Sequence, residues 1–237
     1  MIEIINNILS SSGYKQVDIE PPYNDYDIYL YCPSEAINRE EYFVTLQLHA
    51  QSDEAAKTIL LEKAQILFEE ISNSGQVSRP FEKNCTMFIC HEEDKINRQT
   101  ILALEEDPYN FKKNVITYTQ PELEALLAYL AENKIESITN AAINNIINSE
   151  GGRGFLEFKD SHKSSKGLYS LVLRTTLKLP FITYHPQEQK LSNLSLEIRK
   201  SLSQDQNSIF SQLLDSELEL TDENIHQQIE RIWSDLG

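Results

Sequence analysis

One long amphipathic helix placed after three strand-like runs is the feature that most constrains this chain. Residues 52–72 carry apolar side chains at the three- and four-residue spacing of a helix, and Ser52 has the chemistry of an N-cap. The three preceding runs are rich in aromatic and branched residues, and they cover residues 14–19, 26–31 and 41–49. Because such a helix must bury its apolar stripe, we expect it to lie across the sheet that these strands form.

The flanking elements extend this pattern on both sides. A first helix is predicted at residues 2–11. The elements after the long helix are a strand at 85–91, a helix at 97–105, an extended segment at 111–118 and a helix at 121–131. The order helix-strand-strand-strand-helix-strand predicts the fold class α/β (α+β), with a mixed sheet in a core of residues 1–132.

Residues 133–237 predict a second, mainly helical C-terminal region. A polar helical segment at 135–147 ends in a glycine-rich turn. Runs at 155–158 and 168–173 predict two strands of a basic hairpin or loop that spans residues 153–178. Helices are predicted at residues 193–201, 208–214 and 222–236, and residues 201–237 form an acidic tail with one basic and eight acidic side chains. The last helix places Trp233 on an apolar face, which can dock on its own chain or on a partner.

Composition narrows the class of protein. The hydrophobic fraction is 40%, which is typical of a folded globular chain. No stretch approaches the roughly 20 apolar residues of a membrane span, and the first residues do not resemble a signal peptide, so we expect a cytoplasmic protein. The three cysteines Cys32, Cys85 and Cys90 fit neither a disulfide framework nor zinc-ligand spacing, and we predict buried thiols with no metal or cofactor.

The charge is strongly negative and unevenly distributed. A net charge of −16 argues against a protein that coats nucleic acid by itself. Residues 151–200, however, carry nine basic and four acidic side chains. This segment can pair with an acidic surface or contact DNA inside a larger complex. The candidate DNA contacts are Arg153, Lys159, Lys163 and Lys166.

The predicted order of elements is similar to the core of the PD-(D/E)xK nuclease fold. Such a site needs carboxylates on two neighbouring strands and a lysine beside the second one. Asp25 and Asp27 stand at the first position, with Glu41 as a further acid, but the second position holds Gln47 followed by Leu and His. A neutral amide cannot replace a carboxylate at a hard-cation site. We therefore predict no catalytic residues, with a weakened or degenerate nuclease as the alternative.

Residues 104–119 hold the most information about function. An acidic triplet, a Pro-Tyr turn and a Lys-Lys pair lead into an aromatic strand. These charges can neutralise one another across the turn, or the segment can anchor a partner through exposed aromatic rings. The predicted partner-binding residues here are Tyr109, Phe111, Lys112, Lys113 and Tyr118.

The run Glu-Glu-Asp-Pro-Tyr-x-Phe-Lys-Lys-x-Val, preceded by Arg39-Glu40-Glu41-Tyr42-Phe43, resembles the middle component of ABC-three component bacterial defence systems. This group includes the Lamassu-type anti-phage complexes. The resemblance covers residues 14–130. It implies an accessory subunit that works with an SMC/Rad50-like ABC ATPase and an effector, such as a nuclease, and that holds the complex together or restrains the effector.

Overall fold

The computed structural model describes residues 1–19, 24–37, 39–161, 167–186, 194–213, 221 and 224–234. The chain divides into two compact units, Met1–Gln187 and Glu188–Gly237. Among the described residues, no helix combines the length and apolar character needed to cross a bilayer. The first unit contains the sheet and the helices that cover it.

Five strands form one mixed sheet in the order in which they occur in the chain. They are β1 (Tyr14–Val17), β2 (Tyr26–Pro33), β3 (Tyr42–Leu48), β4 (Cys85–Glu92) and β5 (Lys112–Tyr118). The first three strands pair antiparallel, whereas β3, β4 and β5 run parallel. Parallel neighbours require crossover connections, and helices supply both of them. The mixed sheet and the predicted order of elements are confirmed.

One face of the sheet is covered by the crossover helices. These are α2 (Asp53–Thr58), α3 (Ala64–Asn73) and α4 (Arg98–Glu106), with a π-helical turn at Ile59–Lys63 between the first two. Ser52 accepts a hydrogen bond from the Ala55 amide at 3.1 Å and so caps α2, as its position predicts. The side chains of Val44, Leu46 and Leu48 point into this layer, on alternate residues of β3.

The π turn has a physical reason in the apolar stripe. Ile59 and Ala64 are both buried, yet they lie five residues apart, a spacing that would rotate them away from each other in an α-helix. One additional residue in the turn returns Ala64 to the core face. Lys63 also faces inward, where its ammonium group pairs with the Asp25 carboxylate and lies 5.3 Å from the ring centre of Tyr26.

The opposite face is covered by four helices. They are α1 (Ile2–Ser11), α5 (Gln120–Glu132), α6 (Asn140–Ile147) and α8 (Leu168–Lys178). Polar residues of β3 position α1: Thr45 donates to the Asn6 side chain at 2.7 Å, and Gln47 accepts the Ile2 amide at 3.0 Å. Gln47 thus satisfies one of the amides that a helix leaves unpaired at its first turn.

The predicted hairpin at residues 153–178 is wrong. Residues 155–158 lie in α7 (Arg153–Ser161), and residues 168–173 lie in α8. The buried positions of α8 include Leu171, Val172 and Thr175, which follow the helical period and not the alternation of a strand. A six-residue apolar run is too short to distinguish the two periods, and packing of α8 on α5 and β5 decides for the helix.

The second unit contains three helices within its described residues. They are α9 (Leu194–Ser201), α10 (Gln204–Leu213) and α11 (Ile225–Ser234). The Ser203 hydroxyl accepts the Gln206 amide at 3.2 Å and caps α10. These helices confirm the predicted helical C-terminal region. Trp233 belongs to α11, and its side chain lies outside the described part of the chain.

A buried carboxylate joins helices on the second face of the sheet. Glu122 is 0% exposed and accepts two hydrogen bonds of 2.8 Å from the guanidinium of Arg174, which also contacts Glu93 at 2.7 Å. The same carboxylate accepts the Thr119 amide at 3.0 Å in a capping box at the start of α5. Glu122 therefore ties α8 to the first turn of α5.

We expect Glu122→Gln to lower the free energy of unfolding by about 2 kcal/mol, because Arg174 loses its buried counter-charge. Glu124→Gln, an exposed position on the same helix, should change it by less than about 0.5 kcal/mol. Urea denaturation followed by circular dichroism measures both. Equal stability of the two variants would contradict the role assigned to Glu122.

Candidate partner-binding site

A buried lysine organises the turn between α4 and β5. The Lys113 side chain is 0% exposed, and its ammonium group lies 2.6 Å from the Asp107 carboxylate. The same group donates to the backbone carbonyl oxygens of Tyr109 at 2.7 Å and Phe111 at 3.2 Å. All three donors of the lysine are therefore used within one turn. This arrangement fixes the path of the backbone from residue 107 to residue 111.

The turn presents one aromatic side chain to solvent. Tyr109 is 72% exposed, and the next residue, Asn110, has a φ of 64°, in the left-handed region that asparagine tolerates better than most residues. An exposed tyrosine on a fixed backbone loses little conformational entropy when a partner covers it. Tyr109 is thus the residue of this segment best placed to anchor a partner.

Three of the predicted partner-binding residues are internal, which corrects the sequence interpretation. Phe111 and Tyr118 are 1% and 2% exposed, and Lys113 is held within the turn. Phe111 packs edge-on against Phe68, with ring centres 5.2 Å apart. Burial, with a contribution from Glu92, raises the pKa of Tyr118 to about 12. The sheet has apolar layers on both faces at β5, so side chains that point to either face of this strand are buried. Tyr109 and Lys112 remain at the surface.

The outer edge of β5 is blocked by a side chain. Glu105 accepts the Val115 amide at 2.9 Å and also pairs with Lys178 at 2.5 Å. On α8, the Lys178 carbonyl accepts a hydrogen bond of 2.9 Å from the Asn114 side chain. These bonds occupy positions that an added strand would need. The acidic end of α4 therefore protects the sheet edge, while Tyr109 and Lys112 remain exposed.

The charged and aromatic residues of segment 105–119 therefore have different structural roles. Glu105 and Asp107 accept hydrogen bonds from the chain, Lys113 orders the turn, and Tyr109 is exposed. Residues 41–143 match the family model of the ABC-three component (ABC-3C) system Middle Component 1. The matched residues run from the start of β3 into α6 and contain the whole Lys113 turn. The match confirms the resemblance to ABC-3C middle components over these residues. No curated protein and no solved structure matches the chain.

The nuclease-like positions converge only in part. Asp27 and Gln47 are register partners on β2 and β3 at one end of the strands. The Asp27 carboxylate lies 3.1 Å from His49, and Asp25 pairs with Lys63. Glu41, in contrast, precedes β3 at its other end, roughly 20 Å away for a six-residue separation in a strand.

Glu41 therefore does not join Asp25 and Asp27, contrary to the convergence that the nuclease alternative predicts. Its carboxylate accepts the Tyr14 hydroxyl at 2.6 Å and contacts Arg39 at 3.2 Å. Within the described ranges, no group of three or more His, Cys, Asp or Glu side chains is arranged to hold a metal ion. Each of these acids contacts a side chain of the chain itself: Asp25 pairs with Lys63, Asp27 with His49, and Glu41 with Tyr14 and Arg39.

The basic segment is only partly described. Arg153 lies on α7 and forms a 2.9 Å ion pair with Glu157, one helical turn further on. Lys159 is exposed on the same helix, and Lys163 and Lys166 lie outside the described residues. The partial neutralisation of Arg153 by Glu157 reduces the positive field that a DNA backbone would meet at this helix.

The cysteines behave as packing residues in the core. Cys85 and Cys90 are 5% and 0% exposed, as predicted, whereas Cys32 is partly exposed. Burial raises the pKa of the Cys90 thiol to about 12 and that of Cys85 well above its ordinary value. A protonated thiol is a poor nucleophile and a poor metal ligand, so these two thiols are unreactive at neutral pH.

Sequence reasoning did not single out Glu122, Arg174 and Lys63, whose ion pairs hold the first unit together. Thr119 and Glu122 carry the spacing of a capping box, a signal that predicts a partly satisfied carboxylate at the start of α5. No local signal identifies Arg174 as its partner, because 52 residues separate them. Lys63 falls on the apolar stripe of its helix, and this position alone indicates a buried lysine in need of a counter-ion.

We expect Lys113→Ala to lower the free energy of unfolding by about 3 kcal/mol, because it leaves the Asp107 carboxylate without its partner and two carbonyls without a donor. The adjacent Lys112→Ala serves as the control, since that side chain is exposed and should cost less than about 0.5 kcal/mol. Chemical denaturation tests the pair. A Lys113→Ala protein as stable as Lys112→Ala would refute the organising role of the buried lysine.

Proposed function

We propose that this chain is a non-catalytic accessory subunit of an ABC-three component system. The Middle Component 1 match over residues 41–143 is the observation that carries the proposal. The Lys113 turn adds a physical reason to expect a partner, because it holds Tyr109 at the surface of a rigid backbone. In this role the chain works together with the other components of the system, and one of these is an ABC ATPase.

More specifically, we propose that the chain belongs to a cytoplasmic anti-phage defence system of the Lamassu type. The subunit bridges an SMC/Rad50-like ABC ATPase and an effector nuclease, or regulates the effector. Its net charge of −16 supports a protein-binding role, because phosphate backbones are repelled by such a field unless a partner supplies positive charge. DNA is then contacted within the complex and not by this chain alone.

Co-purification tests the central proposal. The tagged, full-length protein is expressed from its native operon, isolated at moderate salt, and its associated chains are identified by mass spectrometry. We expect recovery of the ABC ATPase with the bait, and of the effector if the subunit bridges the two. If neither component is recovered under conditions in which each is expressed, the accessory-subunit proposal fails.

Tyr109→Ala should weaken this association by about 2 kcal/mol, roughly thirtyfold in affinity, if Tyr109 is a central anchor. Leu177→Ala removes another strongly exposed side chain, 78% exposed on α8, and is the matched control. Both variants should keep wild-type stability, because neither side chain is buried. If both variants recover the partner as well as the wild type does, Tyr109 is not part of the interface.

A metal-dependent nuclease, or a degenerate descendant that binds DNA ends, is the second candidate function. It is favoured by the pairing of Asp27 with Gln47 across two neighbouring strands and by Asp25 two residues before Asp27. The purified protein is incubated with linear DNA and Mg²⁺, beside an Asp27→Ala variant. We expect no cleavage by either. Cleavage by the wild type that is lost in Asp27→Ala would overturn the non-catalytic assignment.

A further inference from the structure

An open cleft lies at the amino-terminal ends of the three parallel strands. It has a volume of about 660 Å³, within the size range of small-ligand pockets. The residues that precede or begin β3, β4 and β5 line it together with the segment after α8. They include Arg39, Glu41, Lys83, Asn84, Lys112 and Pro180. Chain segments from four parts of the first unit therefore form one concave surface.

The cleft concentrates positive charge on an acidic protein. Three cationic and two acidic side chains line it, whereas the whole chain has 21 basic and 37 acidic residues. Arg39 is partly neutralised by Glu41 at 3.2 Å. Lys83 and Lys112 are exposed, and neither ammonium group has a hydrogen-bond or ion-pair partner among the residues that the structure describes. Two unneutralised ammonium groups thus face the same cleft.

The order of the strands places these cations in a row. Arg39, Lys83 and Lys112 stand at the starts of β3, β4 and β5, which are adjacent in the sheet. Neighbouring strands lie about 4.8 Å apart, so the row extends roughly 10 Å across the strand ends. Carboxylates on alternate residues of an extended peptide are spaced about 7 Å apart. Flexible lysine side chains can accommodate that spacing.

The lining favours a peptide over a nucleic acid. Bases are bound without pairing by stacking on exposed aromatic rings, and the aromatic side chain of the cleft, Phe43, is 1% exposed. The Glu40 carboxylate has no ion-pair partner within the described ranges, is exposed at the rim, and would repel a continuous phosphate backbone. A short acidic peptide places its charges on the lysines and can leave a neutral residue beside Glu40.

We infer that this cleft is the docking site for an extended acidic segment of a partner protein, with carboxylates on alternate residues bound by Lys83 and Lys112. The inference rests on the proposed function, because it names a surface through which a subunit would hold another component. It differs from the Tyr109 turn in its chemistry, since charge and not aromatic burial supplies the recognition. Its affinity should therefore fall as salt rises.

Fluorescence anisotropy with a labelled peptide of alternating Glu and Ser tests the site in the full-length protein. We expect saturable binding that weakens with salt, and no binding of the peptide with Gln in place of Glu. Lys83→Glu combined with Lys112→Glu should weaken binding at least about tenfold. The matched control, Lys15→Glu with Lys200→Glu, makes the same change in net charge at exposed lysines elsewhere and should stay within about twofold.

Three outcomes would overturn the inference: no binding of the Glu peptide by the wild type, an equal loss in both double variants, or tighter, Lys83- and Lys112-dependent binding of a single-stranded oligonucleotide of the same charge. The last would assign the cleft to nucleic acid. Failure here leaves the proposed function standing if the wild type still co-purifies with system components. Failure of co-purification, in turn, leaves the peptide measurement unchanged, so the two proposals are separately testable.

Discussion

Burial of the central strands on both faces is the constraint on which the rest of the first unit depends. Six of the seven residues of β3 are buried, and β4 is buried almost throughout. Each large apolar side chain removed from water contributes about 1.5–3 kcal/mol, so both sheet faces need a covering layer. The crossover helices cover one face, and α1, α5, α6 and α8 cover the other. Helices from beyond residue 133 are therefore part of the core.

Two-sided burial also explains why charged groups inside this unit are so specifically paired. Glu122 and Lys113 lie where a helix or a turn meets the covered sheet, and water cannot solvate either group there. Arg174 satisfies Glu122, and Asp107 with two carbonyl oxygens satisfies Lys113. Leaving one partner of such a pair alone in the interior is costly, so each pair fixes a geometry. The turn that presents Tyr109 is one of the geometries fixed in this way.

The order of elements up to residue 131 was predictable because it rests on local periodicity. The long helix, the strands and the proline-initiated helix each carry enough residues to distinguish a period of two from one of 3.6. Residues 155–158 and 168–173 do not, and there the helices α7 and α8 replaced the predicted strands. The candidate site was only half predictable. The segment 105–119 lies within the matched residues 41–143, but which of its aromatic residues are exposed depends on layers formed elsewhere in the chain.

By itself, the sequence determined the mixed α/β core, the helical C-terminal region and the segment that carries the Middle Component 1 resemblance, because these follow from nearby residues and their spacing. Only the tertiary structure decided that Phe111, Lys113 and Tyr118 are internal while Tyr109 and Lys112 face solvent. Only the folded chain places Arg39, Lys83 and Lys112 along one cleft and separates Glu41 from Asp27. The reason is that exposure and convergence depend on strand order and on packing partners many tens of residues away.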